Sequence, residues 1–178
     1  PQGHEQFVKT EGGFGYADEL VSFIRSKNSF CIGAACYPEG HIESQDLSLD
    51  MENLKRKVDC GVDFLITQLF FDNIHYFNFI ERAEKEGIKI PILPGIMPIL
   101  NLKQCQRFTQ MCGASLSNSL VAKFEGINDD LNKVRDIGIQ HAIEQCRDLI
   151  SSGAPGIHFY TLNRSKATLA ILENLRGL

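Results

Sequence analysis

The amino-acid sequence predicts an α/β protein in which a parallel sheet is covered by outer helices. Three observations support this fold class. Short, continuous apolar runs, typical of strands that are buried on both faces, recur along the chain. Between them lie segments with apolar residues at helical spacing. The two kinds of segment alternate in the order α-β-α-β-α-β-α-α-α-β-α, and such alternation is typical of a parallel sheet.

The first four predicted elements lie between residues 16 and 71. The apolar stripe of "YADELVSFIRSK" predicts a helix over residues 16–27. The apolar run "SFCIGAACY" then predicts a buried strand over residues 29–37. A second amphipathic helix is expected over residues 47–60, with Gly61 as its stop. The run "VDFLITQLFF" at residues 62–71 predicts the second strand.

Glycines and prolines delimit the next three elements. Helical spacing of apolar residues predicts a helix over residues 73–86, closed by Gly87. The run "IKIPILPGIMPI" at residues 88–99 predicts a third strand, and its prolines indicate that it breaks early at its C-terminal end. A helix over residues 102–112 follows, and Gly113 ends it.

Three helices and one strand complete the chain. The stretch "SLSNSLVAKFEGI" predicts a short extra helix within residues 115–127. Asn128 is expected to cap a long helix that runs through Ser152. The apolar run "GIHFYTL" at residues 156–162 predicts the fourth strand, and a helix over residues 165–175 follows it.

Composition excludes several classes of protein. The 178 residues are 43% hydrophobic and 22% charged, as in an ordinary globular domain, and the formal net charge is −4. Scattered lysines and arginines argue against a nucleic-acid partner, and no apolar run approaches the roughly 20 residues that cross a membrane. The six cysteines form no C-x-x-C pair, so we interpret them as reduced core thiols of a cytoplasmic protein. No linker divides the chain, which predicts a single domain over residues 1–178.

Four parallel strands fit two architectures. A closed (β/α)₈ barrel takes about 250 residues, so the chain is either a small open doubly wound sheet or the second half of a barrel. Spacing alone leaves both open. In both architectures ligands bind at the C-terminal ends of the strands.

Polar residues gather at those strand ends. The clusters are "YPEGH" after the first strand, Gln68 in the second, "PGIMPILNLKQ" after the third and "HFYTLNR" at the fourth. Tyr37 and His41 could simply cap a loop. A metal site formed by Glu39, His41 and Glu43 is disfavoured because the spacing matches no standard ligand set, and no metal is expected.

The second predicted helix carries a polar face. Asp50, Asn53 and Lys57 lie at positions i, i+3 and i+7, with Arg56 beside them. One interpretation is a solvated face with salt bridges. The other is a rim that binds an anionic, hydroxyl-rich ligand, because Arg and Lys bind phosphates while Asp and Asn bind sugar or base groups.

Gln68 poses a separate question, because it is a large amide inside an apolar run. A buried amide without a partner costs on the order of 1–3 kcal/mol. Its partner is therefore a neighbouring strand, a buried water or a ligand.

Together these stretches resemble one enzyme family. "CYPEGHIES", "DMENLKRKVDCGVDFLITQLFFD", "ILPGIMPI" and "HFYTLNR" are similar, in this order and at fitting intervals, to methylenetetrahydrofolate reductases, and "EGGFGYADELV" resembles the eukaryotic branch. The resemblance implies a (β/α)₈ barrel with FAD at the C-terminal ends of its strands. It also implies hydride transfer from NAD(P)H to the flavin and then to 5,10-methylenetetrahydrofolate, which gives 5-methyltetrahydrofolate in one-carbon and methionine metabolism.

The resemblance also assigns roles to residues of this chain. The expected FAD-binding residues are Tyr37, His41, Asp50, Asn53, Arg56 and Lys57. The residues expected to contact the folate or the nicotinamide, which use the same face in turn, are Gln68, Gln104 and Arg164, with Phe108 near the ring that stacks on the flavin. In this interpretation the Gln68 amide faces the pocket, where it can donate and accept hydrogen bonds without placing a charge beside the hydride path.

The family pattern extends beyond this sequence. The chain resembles strands five to eight of the barrel, so we expect a fragment without the family's general-acid glutamate, the aspartate of an R-G-D stretch, and the C-terminal regulatory domain. No catalytic residue of the family is therefore expected within it, and the parent is expected to be a homo-oligomer. Two alternatives stay open: a non-catalytic truncated remnant that acts through binding or assembly, and a complete small α/β fold with a nucleotide site.

Overall fold

The computed structural model describes residues 8–27, 29–127 and 129–177. Within them, helices and short strands follow the predicted order and every strand pair is parallel, which confirms the predicted α/β class. The helices are α1 (Ala17–Lys27), α2 (Leu47–Asp59), α3 (Asn73–Lys85), α4 (Leu102–Cys112), α5 (Asn118–Ala122), α6 (Leu131–Ser151) and α7 (Ser165–Leu175). The strands are β1 (Gly33–Cys36), β2 (Phe64–Thr67), β3 (Ile92–Leu93), β4 (Gly95–Ile96) and β5 (His158–Phe159).

The third predicted strand is divided into two short pieces. β1, β2 and β3 form one parallel ladder, in which Leu65 lies opposite Ile92, and β4 pairs with β5 in a second ladder. Pro94, which has no N–H to donate, separates β3 from β4. The N–H of Gly95 donates instead to Thr67 Oγ1 over 2.8 Å. Pairing ends at Ile96, before the predicted end at Ile99, and the break at Pro94 lies inside the predicted strand and not at its C-terminal end.

Strand order distinguishes the two architectures that the sequence left open. The first ladder has the order β1-β2-β3, the second pairs β4 with β5, and the Tyr160 hydroxyl just after β5 donates to the Thr67 carbonyl over 2.9 Å. Because parallel crossovers are right-handed, consecutive order places the connecting helices on one face of the sheet. A doubly wound sheet instead reverses its strand order. The observed order is consistent with half of a (β/α)₈ barrel.

The paired segments are shorter than the predicted strands. The apolar run at residues 62–71 predicted one strand, but only Phe64–Thr67 forms ladder pairs. Leu69, Phe70 and Phe71 are nevertheless buried, because they pack into the cores that flank the sheet. The other predicted strands are shortened in the same way.

Two hydrophobic cores support the sheet. The larger core joins the strands to α1, α2, α3, α6 and α7, and it contains the fully buried Leu65, Phe79 and Leu149. The smaller core lies beneath α4 and α5 and includes Phe124 and Val134. On the opposite face of the strands, Gly33 and Ala35 are exposed, and Phe64 and Ile66 are only partly buried.

Local side-chain signals set the helix ends. Asn101 caps α4 by accepting the N–H of Gln104 over 2.8 Å, and the predicted stop Gly113 ends it with φ at 73°. The predicted cap of the long helix, Asn128, lies outside the described residues. α6 begins at Leu131, and its cap is Asp130, whose carboxylate accepts N–H groups of the first turn.

The predicted short helix within residues 115–127 is confined to Asn118–Ala122. After it, the N–H of Phe124 bonds to the carbonyl of Val121, three residues back, so the chain continues as tight turns. The turns bury the Phe124 ring completely, and Gly126 reverses the chain with φ at 74°. Core packing of one ring therefore overrides helix propensity here.

All six cysteines are free thiols, which agrees with the expectation of a reduced set. Cys36, Cys105 and Cys146 are buried, and burial raises the pKa of Cys105 and of Cys146 to about 12. Cys31 is exposed, so the expectation of a core thiol is wrong at this position. No helix in the described part of the chain has the length and apolar character needed to cross a membrane.

Candidate functional site

Two clefts at the C-terminal ends of the strands contain residues that the sequence predicted to bind ligands. The larger one, the α2 cleft, has a volume of about 660 Å³ and lies between α1, the loop after β1, and α2. All six residues that the sequence assigned to FAD lie along it. Its lining is Gly15, Tyr16, Ala17, Asp18, Cys36, Tyr37, His41, Glu43, Ser44, Leu49, Asp50, Asn53, Leu54, Arg56 and Lys57.

The loop after β1 presents two ring side chains to the α2 cleft. A turn closes the loop, because the N–H of Gly40 donates to the carbonyl of Tyr37 over 3.0 Å. The rings of Tyr37 and His41 meet edge to face with centroids 4.5 Å apart. From outside the cleft, Arg82 of α3 donates to the Pro38 carbonyl over 2.8 Å. The two rings are therefore held by contacts on both sides of the turn.

Helix α2 supplies the polar wall of this cleft. Asp46 caps it by accepting the N–H of Leu49 over 2.8 Å, which fixes the first turn. Asp50, Asn53 and Lys57 then project along one face, as their spacing predicted. Burial raises the pKa of Asp50, so its carboxyl group ionises less readily than an exposed aspartate.

Lys57 is the cation of this wall. Its Nζ donates to the carbonyl of Ala35 at the end of β1 over 2.6 Å. Lys57 forms no ion pair with any described residue. Burial lowers its pKa, because the surrounding protein disfavours the charged form. A partly buried ammonium group without a carboxylate partner favours binding of an anion.

Arg56 is placed differently from its neighbour. Its Nε donates to Asp18 Oδ2 over 2.8 Å, and more than half of its side chain is exposed. The same contact lowers the pKa of Asp18. The positive charge that the sequence assigned to a ligand is thus engaged by the first turn of α1. Asp18 could not be identified from the sequence, because no local pattern of residues connects positions that are 38 apart.

The smaller cleft, the α4 cleft, lies between α4 and the segment after β5. It has a volume of about 220 Å³ and brings together Gln104 and Arg164, two of the three residues predicted to contact substrate, with Phe108, which was predicted to lie near the substrate ring. Leu162 and Asn163 have left-handed φ values of 48° and 60°. Such values are uncommon for residues other than glycine and concentrate at functional loops. The α4 cleft is lined by Met97, Pro98, Leu100, Asn101, Gln104, Cys105, Phe108, Tyr160, Thr161, Leu162 and Arg164.

The family model for methylenetetrahydrofolate reductase matches residues 1–176. The chain belongs to this family. Methylenetetrahydrofolate reductase 2 of Saccharomyces cerevisiae is 41% identical over 183 residues, which cover 100% of this chain and 30% of the yeast protein. 5,10-Methylenetetrahydrofolate reductase of Escherichia coli is 38% identical over 160 residues, covering 90% of this chain and 54% of the bacterial protein. The chain thus spans about a third to a half of the length of these relatives.

Two further proteins are similar to this chain. Methylenetetrahydrofolate reductase (NADH) 1 of Arabidopsis thaliana is 40% identical over 186 residues, covering 98% of this chain and 31% of the plant protein. A solved structure of a Clostridium thermocellum protein, which binds two copies of 5-methyl-5,6,7,8-tetrahydrofolic acid, superposes with a TM-score of 0.59. The match covers 98% of this chain and 64% of that protein. At 17% identity this likeness shows a shared fold.

Gln68, the amide that the reductase resemblance places at the substrate, lines neither cleft. It follows β2, and its backbone N–H donates to the Cys36 carbonyl over 2.7 Å. The side-chain Oε1 accepts the N–H of Leu69 over 2.9 Å. Nε2 donates to no atom of the described residues. The side-chain carbonyl of Gln68 thus has a local partner, whereas its Nε2 has no hydrogen-bond partner among the described residues.

Within the described residues, no group of three or more His, Cys, Asp and Glu side chains is arranged to hold a metal ion. Glu39, His41 and Glu43, which the sequence analysis considered as ligands, diverge in the structure. His41 Nδ1 accepts the N–H of Glu43 over 3.1 Å. Glu39 faces away from both, towards Ser115.

Proposed function

We propose that this chain forms part of an FAD-dependent methylenetetrahydrofolate reductase, with FAD in the α2 cleft and the folate and NAD(P)H using the α4 cleft in turn. The observation that carries the proposal is Lys57. A partly buried cation without an ion-pair partner among the described residues lies in a cleft that all six expected FAD-binding residues line. Family membership supplies the reaction class.

The residues of the α2 cleft fit the chemical groups of FAD. Lys57 would bind the diphosphate, because its ammonium group has no competing carboxylate within the described residues. Asp50 and Asn53 would hydrogen-bond hydroxyl or base groups, which accept and donate in the way these side chains require. Tyr37 and His41, at the end of β1, would contact the part of the flavin nearest to the strands. Arg56 would contribute less than the sequence predicted, because Asp18 engages its guanidinium group.

The α4 cleft fits a ring with an acidic or amide substituent. The Phe108 ring offers an apolar surface for stacking, and Gln104 offers both a donor and an acceptor. Arg164 offers a guanidinium group suited to a carboxylate or a phosphate, which folate and nicotinamide nucleotides respectively carry. Gln68 lines neither cleft, so a contact between its Nε2 and the substrate ring rests on the family resemblance alone.

When bound, FAD would accept a hydride from NAD(P)H and pass it to the methylene group of 5,10-methylenetetrahydrofolate. The residues of this chain would hold and orient the partners of that transfer. A neutral amide at Gln68 leaves the hydride path without a fixed charge. The proton that the folate requires would come from a carboxylic acid outside these 178 residues, as the family pattern implies. We further propose a cytoplasmic, homo-oligomeric parent protein.

The test uses the intact protein that carries this sequence. It should copurify with FAD or bind added FAD stoichiometrically, which its visible absorbance spectrum reports. It should oxidise NADH or NADPH with menadione as acceptor, and should form 5-methyltetrahydrofolate from the methylene compound. Each nicotinamide nucleotide is assayed separately, which also identifies the donor. A folded protein that binds no FAD would refute the proposal, whereas FAD binding without either reaction would favour the non-catalytic alternative.

A further inference from the structure

Glu39 occupies an unusual position for a carboxylate. It lies in the loop after β1, and only 13% of its side chain is exposed. Its Oε1 accepts the N–H of Ser115 over 3.1 Å, and its Oε2 accepts the Ser115 hydroxyl over 2.5 Å. His75 Nε2, in the first turn of α3, lies 3.5 Å from the same Oε2. Burying a carboxylate is costly unless such partners compensate it, so the arrangement is specific.

The three residues do not form a nucleophilic triad. In such a triad the carboxylate orients a histidine through one ring nitrogen, and the other ring nitrogen accepts the serine proton. Here the Ser115 hydroxyl donates directly to Glu39, and His75 Nε2 is 3.3 Å from the same hydroxyl. Among the described residues, His75 therefore has no second carboxylate that would orient its other ring nitrogen. The arrangement joins segments of the chain and does not activate Ser115.

The joined segments carry the walls of the two clefts. Glu39 lies between Tyr37 and His41 of the α2 cleft. Ser115 follows the end of α4, the helix that carries Gln104 and Phe108 of the α4 cleft. Glu39 and Ser115 are 76 positions apart in sequence, so their hydrogen bonds form a direct connection between distant parts of the chain.

A second contact lies beside the first. Gly113, the C-cap of α4, lies beside the loop, and a Cβ on it would make an ordinary van der Waals contact, 3.6 Å from the carbonyl oxygen of Gly40. The end of α4 therefore rests on the turn that orients Tyr37 and His41. Arg82 holds the same turn at Pro38 from the side of α3. The loop is thus fixed between α3 and α4.

We propose that Glu39 is a positioning residue that holds the end of α4 against the loop after β1 and thereby keeps the α2 and α4 clefts in one geometry. The inference rests on the proposed function and adds to it a residue that contacts neither FAD nor folate. Small misplacements of a reacting pair cost up to about 10²-fold in rate. Loss of the connection should therefore impair folate reduction more than FAD binding.

The test compares Glu39→Ala, Ser115→Ala and the double variant in the intact protein. Each single variant should lower kcat/KM for methylenetetrahydrofolate by about tenfold, below the limit set by complete misplacement. FAD affinity and the menadione reaction should change by less than about threefold. The double variant should be no worse than the poorer single variant, because both remove one connection. Glu39→Gln, which keeps the shape and one acceptor, should restore most of the loss.

Glu81→Ala is the matched control, since Glu81 is an exposed glutamate on α3 without an ion pair in the described part of the chain. It should leave every parameter unchanged. If the wild-type protein is active and the Glu39→Ala variant keeps the wild-type kcat/KM for the folate, this inference alone is refuted. Equal loss in both reactions, with release of FAD, would also refute it and assign Glu39 a general structural role. A wild-type protein without FAD chemistry would refute the proposed function, and this inference with it.

Discussion

The replacement Lys57→Met most directly tests the assignment of the α2 cleft. Methionine keeps an unbranched apolar side chain and removes the ammonium group. In the folded protein that group donates to the Ala35 carbonyl over 2.6 Å, and no carboxylate of the described residues pairs with it. Its lowered pKa indicates that burial of the charge is unfavourable when no anion is bound. A bound diphosphate would make burial of the ammonium group favourable, because the diphosphate supplies the missing counter-charge.

The structure sets the size and the signs of the expected effects. A hydrogen bond to a charged group contributes roughly 1.5–3 kcal/mol, so the Kd for FAD should rise by about one to two orders of magnitude. The free energy of unfolding of the FAD-free protein should change little, because the variant no longer buries an ammonium group but also loses its hydrogen bond to the Ala35 carbonyl. A loss of affinity without a comparable loss of stability distinguishes loss of a phosphate contact from general damage.

The assay is a titration of the intact apoprotein with FAD, followed by the change in flavin fluorescence. Arg56→Met serves as the matched control on the same helix, because Asp18 already engages that guanidinium group. It should change the Kd by less than about threefold. Wild-type affinity in Lys57→Met, or equal losses in both variants, would show that α2 is an ordinary solvated face.

Four further predictions follow from individual contacts. Gly138→Ala should lower the free energy of unfolding in urea by about 2 kcal/mol or more, because a Cβ there would overlap the backbone of Ile99. Gly156→Ala, where a methyl group makes only ordinary contacts, should change it by less than about 0.5 kcal/mol. Gln68→Glu should lower kcat/KM for the folate by about 10²-fold while FAD stays bound, and loss of FAD with normal turnover of the remaining holoenzyme would contradict its placement. The thiol of Cys146 has an ordinary pKa of 9.0 and a folded pKa of about 12, so it stabilises the fold fully below pH 9 and loses this contribution as pH rises towards 12. At pH 10 that loss is on the order of 1 kcal/mol, and Cys146→Ala should show a correspondingly shallower fall in urea melts between pH 8 and 10. Finally, the polypeptide of residues 1–178 produced alone should self-associate and bind FAD weakly, because the face of β1 and β2 away from the main core is incompletely covered; a monomer in light scattering with stoichiometric FAD would contradict this.

Elements that depend on local signals were predictable from the sequence. The bounds of α4 agree at both ends with the prediction, because Asn101 and Gly113 act on the residues next to them. Strand length was not predictable in this way. Apolar character continues through Leu69, Phe70 and Phe71 although pairing ends at Thr67, since burial in the flanking cores demands the same residue types as a strand does.

The candidate site likewise contains a part that the sequence predicted and a part that it did not. The spacing of Asp50, Asn53 and Lys57 within one helix predicted a shared face, and the structure places all three along the α2 cleft. Contacts between distant segments of the chain could not be predicted from local patterns of residues. The Asp18–Arg56 ion pair and the Glu39–Ser115 hydrogen bonds join residues 38 and 76 positions apart, and both change the role that the sequence alone would assign.

The distribution of charged residues along α2 also indicates the direction in which FAD would lie. The Asp18–Arg56 pair is neutral overall, so Lys57 is the one cation of this wall that is available to a diphosphate within the described residues. Asp50 lies seven residues earlier, about 10 Å away along the helix at 1.5 Å per residue. A carboxylate repels phosphates, whereas it accepts hydrogen bonds from hydroxyl groups. We infer that the diphosphate lies over the C-terminal half of α2, and that hydroxyl groups lie over its first turns.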